Sequence, residues 1–332
     1  MKKRHFNMVD IAITRCCNMR CKFCTATSTH NQKQMISFDK FKEIFDKIEL
    51  LIKENKIELP SKFISYGNVG EPLMNPDFIA INQYVKAHGW KSGMYTNGVL
   101  LTREKMEQIY EAQGIDTINI SITGIKREIY KDFQGYGFNK ETQEKLLQIV
   151  LDNLKDLIKL RDEKHKNTKI AVNYIITLRT LLHVIPYTKY MTAIGVDEIR
   201  FTPLVDRPRR KKHIKVKCDR LDGILNIDEK ADISACNNDF LKNNVTGNLL
   251  EDNWLDNYEK LVCNMNSNNL KELPEACQIC DRTNFSSFWD YLSINFHGYL
   301  KMKNRRIMWT KSFTDYIKML RIKVNWYLTE RF

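Results

Sequence analysis

Val9-Asp10-Ile11-Ala12-Ile13-Thr14 runs directly into Arg15-Cys16-Cys17-Asn18-Met19-Arg20-Cys21-Lys22-Phe23-Cys24. The first half reads as a short apolar strand, the second as a loop with thiols at C-x3-C-x2-C spacing. Counting from Cys16 would put Arg20 in the next slot, so the register starts at Cys17. Outward from this loop, strands and helices alternate. Phe38, Phe41, Phe45, Ile48 and Ile52 recur at helical spacing, and Lys62 to Tyr66 is a second strand ended by Gly67. A helix from about Pro76 to Ala87 leads to a third strand, Ser92 to Tyr95, closed by Asn97 and Gly98, and Thr102 opens the next helix. Thr117 to Ile122 is a fourth strand. The helix from Lys140 to about Glu163 carries Leu147, Val150, Leu151, Leu154, Leu157 and Ile158 on one face. Ile170 to Thr177 is a fifth strand, a helix around Tyr187 to Ala193 ends near Gly195, and Val196 to Phe201 is a sixth strand. This alternation implies parallel strands with helical crossovers. It predicts an α/β fold, a partial (β/α)6 TIM-like barrel with its chemistry at the C-terminal strand ends.

The pattern breaks after Pro203. The expected division is a barrel over 1–206, a basic linker over 207–217, a small cysteine-rich module over 218–283 and a basic, aromatic extension over 284–332. Seven of the eleven linker residues are Lys or Arg, read as a solvated linker or as a contact to a substrate phosphate or carboxylate. The tail from Lys301 to Phe332 reads as an amphipathic helix on its own domain, with docking on a membrane surface or RNA as the alternative. The whole chain has 332 residues, 43% apolar and 28% charged, which excludes a disordered or collagen-like protein. No apolar run approaches the ~20 residues of a spanning helix. The basic start has no signal-peptide core behind it. A cytoplasmic location with no membrane span is therefore expected. The net charge, 53 − 40 = +13, favours polyanionic partners without choosing among them. Nine cysteines without an export signal point to metal or catalytic use, not disulfides.

Three soft thiolates on one short loop suit an iron–sulfur cube, leaving one iron open. A zinc knuckle or chance surface cysteines would show the same spacing.

The loop resembles the radical S-adenosylmethionine (radical SAM) enzymes, whose signature is C-x3-C-x-aromatic-C after the first barrel strand. Phe23 fills the aromatic slot. Val69-Gly70-Glu71-Pro72 after strand two is similar to the family's GGEP segment, which holds the methionyl amino group. Thr96-Asn97-Gly98 ends strand three like the family's TNG. Ser121-Ile122-Thr123-Gly124 ends strand four, where the family has a Ser and then Asp-Gly, and Asn173 lies on strand five, where a polar residue reaches the ribose or carboxylate. Val69 and Thr123 depart from the family's Gly and Asp. The resemblance implies a [4Fe-4S] cluster on Cys17, Cys21 and Cys24, with SAM chelated to its unique iron. One electron then cleaves SAM, and a 5′-deoxyadenosyl radical abstracts hydrogen from an unactivated C–H.

Cys277 and Cys280 form a C-x2-C knuckle, and Cys218 and Cys236 flank an expected hairpin, so these four would complete a four-iron cluster or a structural zinc. In this position they resemble the auxiliary-cluster module called twitch, a short relative of SPASM, and Gly247-Asn248-Leu249-Leu250-Glu251 looks like its GNI-x-E stretch. Ser286 and Asp290 stand where a full SPASM domain would have more ligands, so one auxiliary [4Fe-4S] cluster is expected. Cys263 is a candidate hydrogen donor to a carbon radical, against the plainer reading of a buried small residue. The expected function is oxidation or epimerisation of a small polar, carbohydrate-like substrate, with an electron donor such as flavodoxin or ferredoxin. The chain starts only a few residues before strand one, which leans away from the alternative, modification of a ribosomally made peptide. A zinc-binding nucleic-acid module is the reading of a different class, and the ordered barrel motifs make nucleic acid an unexpected partner.

Overall fold

A computed structural model of the chain describes residues 3–24, 34–67, 69–164, 167–177, 179–203, 214–215, 223–234, 236, 245–251, 253–266, 284–285, 300–303 and 306–309. In chain order the elements are β1 (Arg4–His5), β2 (Met8–Ile11), α1 (Phe38–Lys53), β3 (Ile57–Glu58), β4 (Phe63–Tyr66), α2 (Phe78–Ala87), β5 (Lys91–Thr96), α3 (Arg103–Glu111), β6 (Thr117–Ser121), α4 (Arg127–Tyr130), α5 (Lys140–Lys164), β7 (Lys169–Ile176), α6 (Val184–Ile194) and β8 (Glu198–Pro203). Then come β9 (Ile214–Lys215), β10 (Ile224–Ile227), β11 (Asp232–Ser234), β12 (Val245–Asn248), α7 (Trp254–Asn266), β13 (Asn284–Phe285), β14 (Leu300–Lys303) and β15 (Arg306–Trp309).

Six strands, β2-β4-β5-β6-β7-β8, lie side by side in chain order, each parallel to the next. This is the sheet the alternation predicts for a partial barrel. Its two faces differ in chemistry. Val9, Ile64, Met94, Ile118, Ile170, Val172 and Ile199 are buried in one apolar core with the helices. Ring contacts fix which face this is: Tyr66 meets Phe41 of α1, and Tyr174 meets Tyr187 of α6 at 4.4 Å. The other face carries Asp10, Ser65, Gly93, Thr117 and Lys169 in one register row, and Tyr95, Asn119, Ala171 and Glu198 in the next. A one-residue slip in any strand would exchange its faces, so the apolar core pins the polar rows. Arg200 on β8 donates to the Tyr95 hydroxyl on β5 at 3.0 Å. Three strand spacings in a flat sheet are ~14 Å, so the two side chains reach towards each other across the polar face, which is the concave one.

Some expected boundaries shift for local reasons. Lys62 sits in left-handed backbone at φ 41°, so the second strand starts at Phe63. Gly195 caps α6 at φ 97° and the turn runs on through Asp197, so the sixth strand is Glu198–Pro203. Pro72–Met74 form a separate 3-10 turn, and Asp77 precedes the helix that begins at Phe78.

The hairpin expected between Cys218 and Cys236 is present as β10 and β11. It continues the main sheet: β10 pairs parallel with β2, placing Leu225 beside Val9 and Asn226 beside Asp10. The Gly247-Asn248 stretch builds this region. A Cβ on Gly247 would sit 2.9 Å from Trp254 Cβ, so glycine lets α7 start against β12. The Asn248 amide donates to Lys230 O and Asp232 Oδ1, both at 2.9 Å, tying β12 to the hairpin turn. Within the tail expected to be helical, Leu300–Lys303 and Arg306–Trp309 instead form an antiparallel pair. Leu300-Lys301-Met302-Lys303 alternates apolar and basic residues with a period of two, which suits a strand. Cys218, Cys277, Cys280, Ser286, Asp290 and residues 310–332 lie outside the described residues, as does the 207–217 linker apart from β9.

Candidate active site

The cysteine loop leaves the C-terminal end of β2 and is clamped from two sides. The backbone N–H of Glu71 donates to Cys16 O at 2.7 Å. Gly70 lies so close that a Cβ would be 2.4 Å from Thr14 O, and its φ is +76°, so only glycine serves here. Val69, the departure from the family's glycine, packs on Ala12 with Cys24 beside it. Cys16 is buried, and its thiol is not among the groups that shift Cys17 or Cys21.

Glu71 is the hub. Its carboxylate is 1% exposed and accepts from the Thr96 hydroxyl and the Asn97 N–H, each at 2.7 Å, and from Leu73 N–H at 3.4 Å. Burial pushes its pKa up to about 7 against the lowering effect of these hydrogen bonds. The Asn97 amide in turn donates to Asn18 Oδ1 at 2.7 Å and lies 3.9 Å from Cys17 Sγ. The VGEP and TNG motifs, 25 residues apart, thus converge on the first cysteine through one buried carboxylate.

Sequence reasoning missed the segment after β6. Lys22 N–H donates to Phe133 O at 3.2 Å, and the Phe23 ring lies 6.0 Å from the Phe133 ring. Thr123, in the family's Asp slot, is fully buried and exchanges hydrogen bonds with the Gln134 amide. These bonds tie the chain just after β6 to the segment around Gln134. The closely spaced aromatics and glycines of Tyr130 to Phe138 were the available signal. Arg200 was also missed. It shares a register row with Ser121, the last residue of β6, and with Asn173 in the middle of β7. Arg200 and Lys169 both bind Glu198, and these contacts hold its carboxyl below the usual range although burial opposes it.

Cys17, Cys21 and Cys24 are half-buried. Burial pushes the Cys17 thiol up to about 11, with the Glu71 and Cys24 charges adding to it, and pushes Cys21 up with Cys24 and Cys17 adding. The groups that favour the Cys17 thiolate are the Met19 N–H and the Asn97 amide, neither of them charged. A cationic group held among the three would supply the missing charge. Among the described residues no three Cys, His, Asp or Glu side chains are placed to hold one metal ion. A four-iron cube spreads its thiolates over separate iron atoms, so the donor set fits such a cluster. Cys236 is half-buried just after β11, and Cys263 is exposed on α7.

Arg15 anchors the loop from the far side. It is 4% exposed and pairs with Glu229 at 2.7 Å and Asp228 at 3.8 Å, in the β10–β11 turn. Breaking a buried pair strands a charge, so Arg15→Met is expected to cost about 3 kcal/mol in urea unfolding. An unchanged midpoint would show that the pair does not hold the hairpin.

A sequence profile of the radical SAM superfamily matches residues 11–175. Over these residues the chain belongs to the radical SAM superfamily. Membership implies SAM and a [4Fe-4S] cluster as cofactors. Among curated relatives, the tungsten-containing aldehyde ferredoxin oxidoreductase cofactor-modifying protein of Pyrococcus furiosus is 28% identical over 199 residues, 59% of this chain and 51% of that protein. The chain thus spans about half the length of that relative. In fold the chain is similar to Streptococcus suis SuiB bound to precursor peptide SuiA, with a TM-score of 0.56 at 16% identity over 83% of this chain and 70% of that one. It is also similar to BtrN in complex with AdoMet and 2-DOIA, with a TM-score of 0.50 at 14% identity over 84% and 94%. No helix among the described residues is long and apolar enough to cross a membrane.

Proposed function

We propose that this radical SAM protein takes a hydrogen atom from an unactivated C–H of a small polar, carbohydrate-like substrate, which it oxidises or epimerises. The cluster held by Cys17, Cys21 and Cys24, with SAM on its open iron, would supply the electron that splits SAM to a 5′-deoxyadenosyl radical. Asn97 and Glu71 orient the first ligand and the strand ends around it. Gly70 keeps its backbone close to Thr14 and Cys16 at the base of the loop, where the segment would hold the methionyl end of SAM. Phe23, braced by Phe133, shields the loop from water, and Ser121 and Asn173 offer hydrogen bonds to the rest of SAM.

The observation that carries the substrate reading is the concave face. Asp10, Ser65, Tyr95, Asn119, Glu198 and Arg200 give it a polar lining, whereas the helix face is apolar. A face meant only for packing would not bury so many polar groups. BtrN with AdoMet and 2-DOIA is a fold relative with a small molecule named beside it; SuiB with its precursor peptide keeps a peptide as the competing outcome. A second cluster on Cys218, Cys236, Cys277 and Cys280 would accept an electron from the substrate radical. The basic surface suits an acidic donor such as flavodoxin or ferredoxin.

The test is anaerobic reconstitution, reduction, addition of SAM and mass spectrometry for 5′-deoxyadenosine. We expect the nucleoside, with about eight iron per chain for two clusters. Iron near four would remove the auxiliary cluster, and zinc without SAM cleavage would overturn the radical reading.

A further inference from the structure

One charged group on the concave face has no role in the chemistry above. Asp10, on β2, is 6% exposed, and its Oδ1 has no hydrogen-bond partner among the described residues. Its neighbours in register are Asn226 on β10 and Ser65 on β4, 6% and 1% exposed. Asn226 Oδ1 and Ser65 Oγ are likewise buried without a partner among the described residues. The Asn226 amide has a fixed sense, because its Nδ2 donates to Ile224 O at 3.2 Å and Ser234 O at 3.3 Å. It therefore presents its oxygen beside Asp10. The next position in the row is Gly93, over which the Phe63 ring lies; a Cβ there would be 2.7 Å from Phe63 Cζ.

The row thus holds a carboxylate, an oriented amide oxygen and a hydroxyl. The described cations near it are engaged elsewhere: Lys169 and Arg200 with Glu198, and Arg15 with Glu229 and Asp228. Burial raises the Asp10 pKa to about 7, and no neighbouring charge or hydrogen bond offsets it. Buried polar groups are normally paired, so three adjacent unmet oxygens define the complement they lack: several N–H donors, and a positive charge for Asp10. A neutral hydroxyl or a water would meet the hydrogen bonds but leave the charge uncompensated.

We propose that Asp10, Asn226 and Ser65 form a subsite that receives an ammonium group of the substrate. The β10 hairpin completes it, since Asn226 reaches the row only through the β10–β2 pairing. This subsite rests on the small-polar-substrate reading. Its test measures binding without turnover, so its failure is separable from a failure to cleave SAM.

The reconstituted 332-residue chain, without SAM or reductant, is unfolded thermally at pH 8 in methylammonium chloride. Controls at matched ionic strength are tetramethylammonium chloride, which has the charge but no N–H donors, and sodium chloride. Methylammonium is expected to raise Tm by about 2–4 °C over both controls. Asp10→Asn should abolish that rise and should itself raise Tm without ligand, because it removes an unpaired buried charge. Ser65→Ala, which changes no charge, should weaken the rise and keeps the test informative if Asp10→Asn does not fold. The absence of a methylammonium-specific rise, a rise that survives in Asp10→Asn, or a ligand-free Tm lowered by that substitution overturns the proposal. The last result would assign Asp10 to the fold alone.

Discussion

Cys21→Ala is expected to lower bound iron by about four per chain and to take 5′-deoxyadenosine formation down by at least ~1000-fold. The reason is the small number of ligands. The loop offers Cys17, Cys21 and Cys24 at the matching spacing, with Cys16 out of register, so removing one leaves two protein ligands for a cube that needs three. Cys17→Ala and Cys24→Ala should behave alike. Cys16→Ala is the control: its backbone oxygen, not its thiol, makes the contact with Glu71. Iron content and product mass spectrometry on the four variants decide the matter. Full iron with normal turnover in Cys21→Ala would remove the loop from the cluster, and lost iron in Cys16→Ala alone would move the register by one residue.

Glu71→Ala has the next largest expected effect. It leaves the Asn97 N–H and the Thr96 hydroxyl without their acceptor inside the protein, at about 1–3 kcal/mol for each orphaned group. Unfolding stability should fall by about 3–5 kcal/mol. Iron retention should fall with it, because Asn97 no longer holds Asn18 and Cys17 in place. Glu71→Gln should recover part of both, since one amide oxygen still accepts while its NH2 faces a donor. The pH dependence has a definite sign. Glu71 titrates at about 7 when folded, against an ordinary 4.5, so the folded state holds this proton more tightly. Its contribution to stability is fully present below about pH 4.5 and is lost as pH rises through 7. Glu71→Gln should therefore flatten this part of the profile between pH 5 and 8 in urea titrations. An unchanged slope would mean that Glu71 stays ionised throughout.

Much of the barrel was legible because its signals are local. The 3.6-residue recurrence in α1 and α5, the glycines that stop strands, and the C-x3-C-x2-C spacing each lie within a few turns of chain. Short-range sterics and hydrophobic patterning decide such features before any long-range contact forms. The VGEP and TNG motifs could be placed after their strands on the same grounds, and Val69 and Thr123 could be marked as departures. What those two residues do was not legible. Val69 packs on Ala12, and Thr123 is held by Gln134, and both contacts depend on which loops meet.

The sequence by itself determined the strand–helix alternation, the thiol loop at the end of the first barrel strand and the glycine that must follow the second. The tertiary structure alone decided that Glu71 joins two motifs and the first cysteine, that Arg200 reaches across to Tyr95, and that Arg15 pairs with Glu229, 214 residues away. It also decided that β10 joins β2 and so puts Asn226 beside Asp10. A polar residue on a strand looks the same in sequence whether its neighbour is a partner or an unmet acceptor. Only strand register, set by burying the opposite face in the core, fixes which side chains stand together.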